Sequence, residues 1–257
     1  MKIGHSIHVR QALLGGHAHG ILFRMSTADM QGVGVDRLFE AGAHFAQVKS
    51  RRHPSMKKFV LGTAAKTEIF DLAKTDEQLA AAKQAMSALA RDGKTVLFVG
   101  GKREIARTVQ EAANRIGQPV VATRWLGGTI SNFVEIKKRI DRLADLTQKR
   151  DSGEFTRTKT KLERVFIDRE IARLEERLGG IREMSRRPDA IIIVDTKYEA
   201  HATKEAKRAH IPVIGVMSSD CDVKDATFPI VVNDASRTAV ALVLGELAAA
   251  YEQGRKA

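Results

Sequence analysis

Short apolar, β-branched runs separated by stretches of helical period constrain this chain more than any other feature. Thr95-Val-Leu-Phe-Val99, Pro119-Val-Val-Ala122, Ala190-Ile-Ile-Ile-Val194, Val213-Ile-Gly-Val216 and Ile230-Val-Val232 are each too short for a helix and lack polar alternation. Such runs suit strands buried on both faces, as in a parallel sheet. Between them, Ile105, Val109, Ala112 and Ile116 recur at helical spacing and stop at Gly117. Further helices are expected near Thr75 to Arg91, with Leu79, Met86 and Leu89 inward, and from about Glu199 to Ala209. A closing helix is expected from about Ala235 to Gln253, with Val240, Leu244 and Leu247 on one side. Parallel strands require crossovers, so the expected fold is α/β: a doubly wound, mainly parallel sheet of flavodoxin or Rossmann type.

From about Asn132 to Glu183 the β-branched runs vanish and two charged helical patterns follow, separated by Asp151-Ser-Gly-Glu154. Ile167, Ile171, Leu174, Leu178 and Ile181 alternate spacings of four and three, the seam of a short antiparallel coiled coil. The expected organisation is an N-terminal extension over 1–36, an α/β body from 37–131 and 184–257, and an inserted coiled-coil hairpin over 132–183. Glycine-separated His5, His8, His17 and His19 lie in the extension. With no cysteine or carboxylate among them, no metal site is assigned.

The 257 residues carry a formal net charge of +12, spread through patterned segments rather than gathered in a tail. A polyanionic partner is the economical explanation. If six to ten cations met phosphates, affinity would fall by about three to five decades between low and moderate salt. Aromatic content of 5% disfavours a single-strand binder built throughout on stacked bases and favours contacts to RNA backbone and shape. Cys221 stands alone, so no intrachain disulfide can form and a reducing compartment is consistent. No run of about 18 apolar residues is present, which argues against a spanning helix. A cytoplasmic location is expected. The acid-free stretch before Asp29, with Lys2, Arg10 and Arg24, leaves an organellar presequence as the alternative.

The candidate RNA contacts fall into several groups. Arg124-Trp-Leu-Gly-Gly-Thr-Ile-Ser-Asn-Phe133 places the chain's one tryptophan between an arginine and a glycine bend, just before a helical pattern. Arginine offers a planar fork for phosphate, and paired glycines permit close backbone approach. Trp125 can stack on a base or anchor the loop, and packing is ranked ahead. Ser131 and Asn132 stand where a helix N-cap is expected. Arg51, Arg52, Lys57 and Lys58 lie in a loop broken by Pro54, and Lys102 and Arg103 follow a strand. Lys137, Lys138, Arg139 and Arg142 open one hairpin arm, while Arg157, Lys159, Lys161 and Arg164 open the other. Solvated helix faces are the commoner fate of such charges, but these openings are poor in acids.

The ordered motifs carry a family resemblance. Leu38-Phe-Glu-Ala-Gly-Ala-His-Phe45, Phe70-Asp-Leu with Lys74-Thr75, Phe98-Val-Gly-Gly-Lys102 and Arg124-Trp-Leu-Gly-Gly come first. Leu178-Gly-Gly-Ile181, Pro188-Asp189, Val194-Asp195, Ile211-Pro-Val-Ile214, Pro229-Ile and Asn233-Asp234 follow. Together they resemble the bacterial-type small-subunit ribosomal protein two family. That resemblance implies a structural constituent of the small ribosomal subunit with a hairpin touching small-subunit rRNA, and no membrane partner. It also implies contact with neighbouring ribosomal proteins, including a docking platform for the subunit's large OB-fold mRNA-binding protein. Departures occur where the family has Trp-Asn-Pro and this chain has Arg52-His53-Pro54, and where Ser218-Ser219-Asp220 replaces Asp-Thr-Asn.

The alternatives are a stand-alone RNA-binding regulator and a nucleotide-binding α/β enzyme. Gly100-Gly101-Lys102 lacks the remaining glycine and hydroxyl residue of a P-loop, and no strand leads into a dinucleotide fingerprint. Asp195 with His201, or His44 with Asp71, can be paired on paper, but no spacing fixes a nucleophile beside a base. Asp195 is expected to be structural and Cys221 an inert filler. No catalytic residue, cofactor or metal is assigned.

Overall fold

The computed structural model describes residues 34–64 and 66–256. The histidines of the extension and most of the extension itself lie outside the described residues. Five strands form one parallel sheet: β4 (Val96–Val99), β5 (Val120–Val121), β6 (Ala190–Val194), β7 (Val213–Met217) and β8 (Phe228–Val231). Their spatial order is β5-β4-β6-β7-β8, so the chain steps to one side of β4 and then returns to the other.

Alternation along the strands divides the core into two layers. Val96, Phe98, Ile192, Val194, Ile214 and Val216 face α2 (Leu72–Arg91), α3 (Ala106–Arg115) and α8 (Arg237–Lys256). Leu97, Val99, Ile191 and Ile193 face α7 (Ala200–Arg208), the base of α4 (Phe133–Asp151) and the end of α6 (Lys161–Leu178). The strand side chains are buried, each worth about 1.5–3 kcal/mol of transfer free energy. The doubly wound fold expected from the apolar runs is therefore present; α-helices make every parallel crossover but the last, where residues 218–227 join β7 to β8 through a single 3₁₀ turn.

A second sheet was not foreseen. Strands β1 (Phe45–Val48), β2 (Val60–Ala64) and β3 (Thr67–Phe70) pair antiparallel in the order β1-β3-β2. Its β2 is largely exposed, so it lacks the burial pattern that makes a strand legible. From β3, Phe70 and Glu68 reach inward, and Phe70 meets Met56, Phe59, Met217 and Cys221. Residues 49–51 and 54–59, read as a plain loop, form two 3₁₀ turns between β1 and β2.

Helices α4 and α6 run antiparallel, joined by a short helix, α5 (Glu154–Thr158), absent from the sequence reading. Their seam divides in two. Leu143, Leu146, Phe155 and Ile171 make a separate small core, against which Ile167 and Leu174 pack. Leu178 and Ile181, expected in the same seam, belong instead to the body's core. Where α6 begins far from the body, Thr160 and Glu163 form a reciprocal capping box. Where it ends, Gly180 lies so close to the short strand β5 that an added Cβ would meet the Val120 carbonyl oxygen at 2.2 Å.

Because Leu143 is fully buried in that distal core, Leu143→Ala is expected to cost about 2–5 kcal/mol locally. Hydrogen exchange should show protection lost across 143–171 while the amides of β4 and β6 keep theirs.

Candidate nucleic-acid interface

In a parallel sheet, the loops after all strands gather at one end. Here that end carries 100–103 after β4, 122–132 after β5, 195–199 after β6 and 218–225 after β7. The 3₁₀ turns of the basic loop join them: the His53 amide donates to the Ser219 carbonyl at 2.8 Å, and the Val223 amide to Ser55 Oγ at 3.1 Å.

The loop from Arg124 to Asn132 is shaped around a carboxylate from α7. Glu205 accepts from the backbone amides of Gly128 at 2.7 Å, Ile130 at 3.1 Å and Ser131 at 3.2 Å, and from the Trp125 indole at 3.4 Å. Burial opposes the charge, but the amides and the indole outweigh it and hold Glu205 below the usual glutamate range. The bend also needs a glycine at Gly128, where φ is 94°. Sequence reasoning missed Glu205, because an acid on a crossover helix gives no local sign that it serves a loop many residues away.

One expectation about this loop is revised. Ser131 Oγ bonds to Glu205, and Asn132 makes no side-chain cap, so neither performs the expected N-cap. Trp125 is only 7% exposed and packs with Ile130 and Phe133, in keeping with the anchoring role ranked ahead of stacking. Little of its face is left for a base. Arg124 beside it is exposed, with no ion pair among the described residues.

The other predicted contact residues divide by environment. Lys102 turns inward to ion-pair with Asp195 and, at 3.2 Å, with Asp234. Burial works against the lysine's charge, but the two carboxylates hold it above the usual lysine range. Burial, with Asp195 nearby, pushes Asp234 up to about 7. Lys102 is therefore the counter-charge of a buried acidic cluster. Arg52 likewise bonds to Glu68 at 2.6 Å, and Glu68 is 1% exposed. Removing either cation would strand a buried acid.

Exposed pairs are weaker. Lys137 with Asp141, Lys138 with Glu135, Arg142 with Glu170 and Lys159 with Glu163 lie on the hairpin surface, where such pairs contribute ~0–1 kcal/mol and can exchange for phosphate. Arg51, Lys57, Lys58, Arg103, Arg139, Arg157 and Lys161 are exposed and have no ion pair among the described residues.

The candidate catalytic residues do not converge on a reaction. Asp195 accepts the amides of Lys197 and Tyr198 at 3.0 and 2.9 Å, a structural turn as expected. Cys221 is 1% exposed, and burial pushes its thiol up to about 12, away from thiolate chemistry. Among the described residues, no His, Cys, Asp or Glu group could hold a metal ion, and no helix is long and apolar enough to cross a membrane.

Fold and charge together define a doubly wound α/β scaffold that carries a helical hairpin and presents cations at the carboxyl end of its sheet. Comparison with known families specifies it further: the model described as Ribosomal protein S2 matches residues 38–254, and the chain belongs to that family. Two curated relatives, both named small ribosomal subunit protein uS2, come from Prochlorococcus marinus strains NATL1A and NATL2A. Each is 37% identical over 223 residues, covering 87% of this chain and 96% of the relative.

Replacing Glu205 with alanine is expected to release the loop, costing at least about 2 kcal/mol for the amides left unpaired. Tryptophan emission reports it, since Trp125 is the only indole: the variant should emit further to the red. The contribution of a carboxylate held low is present above the ordinary glutamate range and lost as pH falls through the folded value. The wild-type emission should therefore redden on acidification in that window, and the variant's should not.

Proposed function

We propose that this chain is a structural constituent of the small ribosomal subunit, holding rRNA through cations on two parts of one fold. The first part is the carboxyl end of the sheet, with Arg51, Lys57, Lys58, Arg103 and Arg124. The second is the hairpin, with Lys137, Lys138, Arg139, Arg142, Arg157, Lys159 and Lys161. The observation that carries the reading is the set of exposed cations in both places, among which Arg51, Lys57, Lys58, Arg103, Arg124, Arg139, Arg157 and Lys161 have no ion pair among the described residues, within a chain of net charge +12. Phosphate supplies the missing counter-charge.

The internal pairing of Lys102 and Arg52 removes them from the phosphate-binding set, and Trp125 serves the interface by fixing Arg124. The chain's contribution is architectural, with no chemical step of its own. Its partners are small-subunit rRNA and neighbouring ribosomal proteins, among them the large OB-fold mRNA-binding protein, at a cytoplasmic ribosome.

Sucrose-gradient fractionation of cell extract at moderate and high salt tests this reading. Near-stoichiometric recovery with the small subunit and with translating ribosomes supports it, and recovery only at the top of the gradient at low salt rejects it. Replacing Arg51, Lys57 and Lys58 together with alanine should lower the salt dependence of rRNA binding, log K against log salt, by about 2 to 3. Melting temperature should change little, because none of the three pairs with a buried acid. An unchanged slope would remove the 3₁₀ turns from the interface.

A further inference from the structure

A crevice of about 530 Å3 opens between the Arg124 loop and the turn after β6. It lies at the carboxyl end of the sheet, where strand order reverses around β4, the usual place for ligands in open α/β sheets. The contacts described above leave it unfilled. We infer that it takes one unstacked base of single-stranded RNA, with guanine preferred, stacked against Tyr198 and read by Glu199. This inference rests on the ribosomal reading and names a specific contact within it.

The walls supply the chemistry. Tyr198 is 59% exposed and makes no ring contact among the described residues. Its backbone is fixed, since Asp195, at φ 63°, takes the amides of Lys197 and Tyr198. A solvent-facing ring with two χ angles, carried on a fixed turn, is a stacking surface available at low entropic cost.

Glu199 is only 5% exposed and lines the crevice from below. One of its oxygens accepts the Gly101 amide at 2.8 Å, leaving further lone pairs for a ligand. Gly101 must be glycine, because a Cβ would meet the Thr123 carbonyl oxygen at 2.5 Å and this carboxylate at 2.8 Å. Guanine is the base whose Watson–Crick edge presents adjacent N–H donors, the complement of a carboxyl group. Arg124, exposed at the rim, can meet the attached phosphate.

A strand of RNA fits better than a free nucleotide. Tight nucleotide sites cradle phosphates in backbone amides, and here the Gly101 amide in the crevice wall is taken by Glu199 and those of Gly128, Ile130 and Ser131 in the adjoining loop by Glu205. A base must therefore be delivered by contacts elsewhere on the chain that carries it. The basic surface described above provides them.

Trp125 lines the crevice and is the only tryptophan, so its emission reads occupancy directly. The full chain would be titrated with a short single-stranded oligoribonucleotide bearing a central guanosine, with its adenosine and abasic counterparts, and with guanosine monophosphate. Saturable quenching by the guanosine oligomer is expected, weaker for adenosine, with the abasic strand binding without quenching. Tyr198→Ala should weaken the guanosine oligomer about tenfold. Glu199→Gln, which preserves shape, should remove most of the preference for guanosine over adenosine.

Equal quenching by the abasic strand would overturn the base pocket while leaving rRNA binding in place. Guanosine monophosphate binding as tightly as the oligomer would overturn the RNA strand as the source. If no RNA binds at all and the chain fails to co-sediment with the small subunit, the ribosomal reading falls as well.

Discussion

One carboxylate, that of Glu205, fixes what this protein can present to RNA. A loop rich in glycine and exposed amides is a natural anion receptor, and left open it would close around whichever phosphate arrived first. The chain fills that receptor with its own side chain. The loop is thereby ordered within the fold itself, and what it presents to solvent is the side chains held around it, Arg124 among them. Ordering achieved during folding need not be supplied again at association.

The parallel sheet makes such an arrangement possible by bringing together segments far apart in sequence. The turn after β4 and the loop after β5 reach the same end because every strand of that sheet points that way, and the basic loop before α2 is tied to it through Ser219 and Val223. Charge at that end is of two kinds. Lys102 and Arg52 neutralise acids that the fold has buried, whereas Arg51, Lys57, Lys58, Arg103 and Arg124 face solvent with no ion pair among the described residues. Residue type alone does not separate them, since both sets are lysines and arginines in polar sequence.

That distinction marks how far the sequence could be read. The parallel strands were legible because burial on both faces leaves continuous apolar runs, and the long helices because their inward residues repeat at helical spacing. The small antiparallel sheet escaped notice because β2 is nearly all exposed and carries no alternation. The short helix α5 interrupts the hairpin with too few residues to establish a period. In the loop around Trp125, the sequence left stacking and anchoring both open for the indole beside its glycine bend, with packing ranked ahead, and the ring is buried with Ile130 and Phe133. Glu205 and the inward turn of Lys102 were invisible, because both depend on pairs that form only when distant strands are placed side by side.

The hairpin's return to the body has a meaning separate from RNA. At Gly180 the chain presses against the two-residue strand β5, within a distance that admits no side chain. Edge strands expose unpaired backbone groups and invite pairing with other chains. The segment that carries cations outward at one end therefore shields the sheet's edge at the other. An arm that looks like an appendage is thus also part of how the body closes its own sheet.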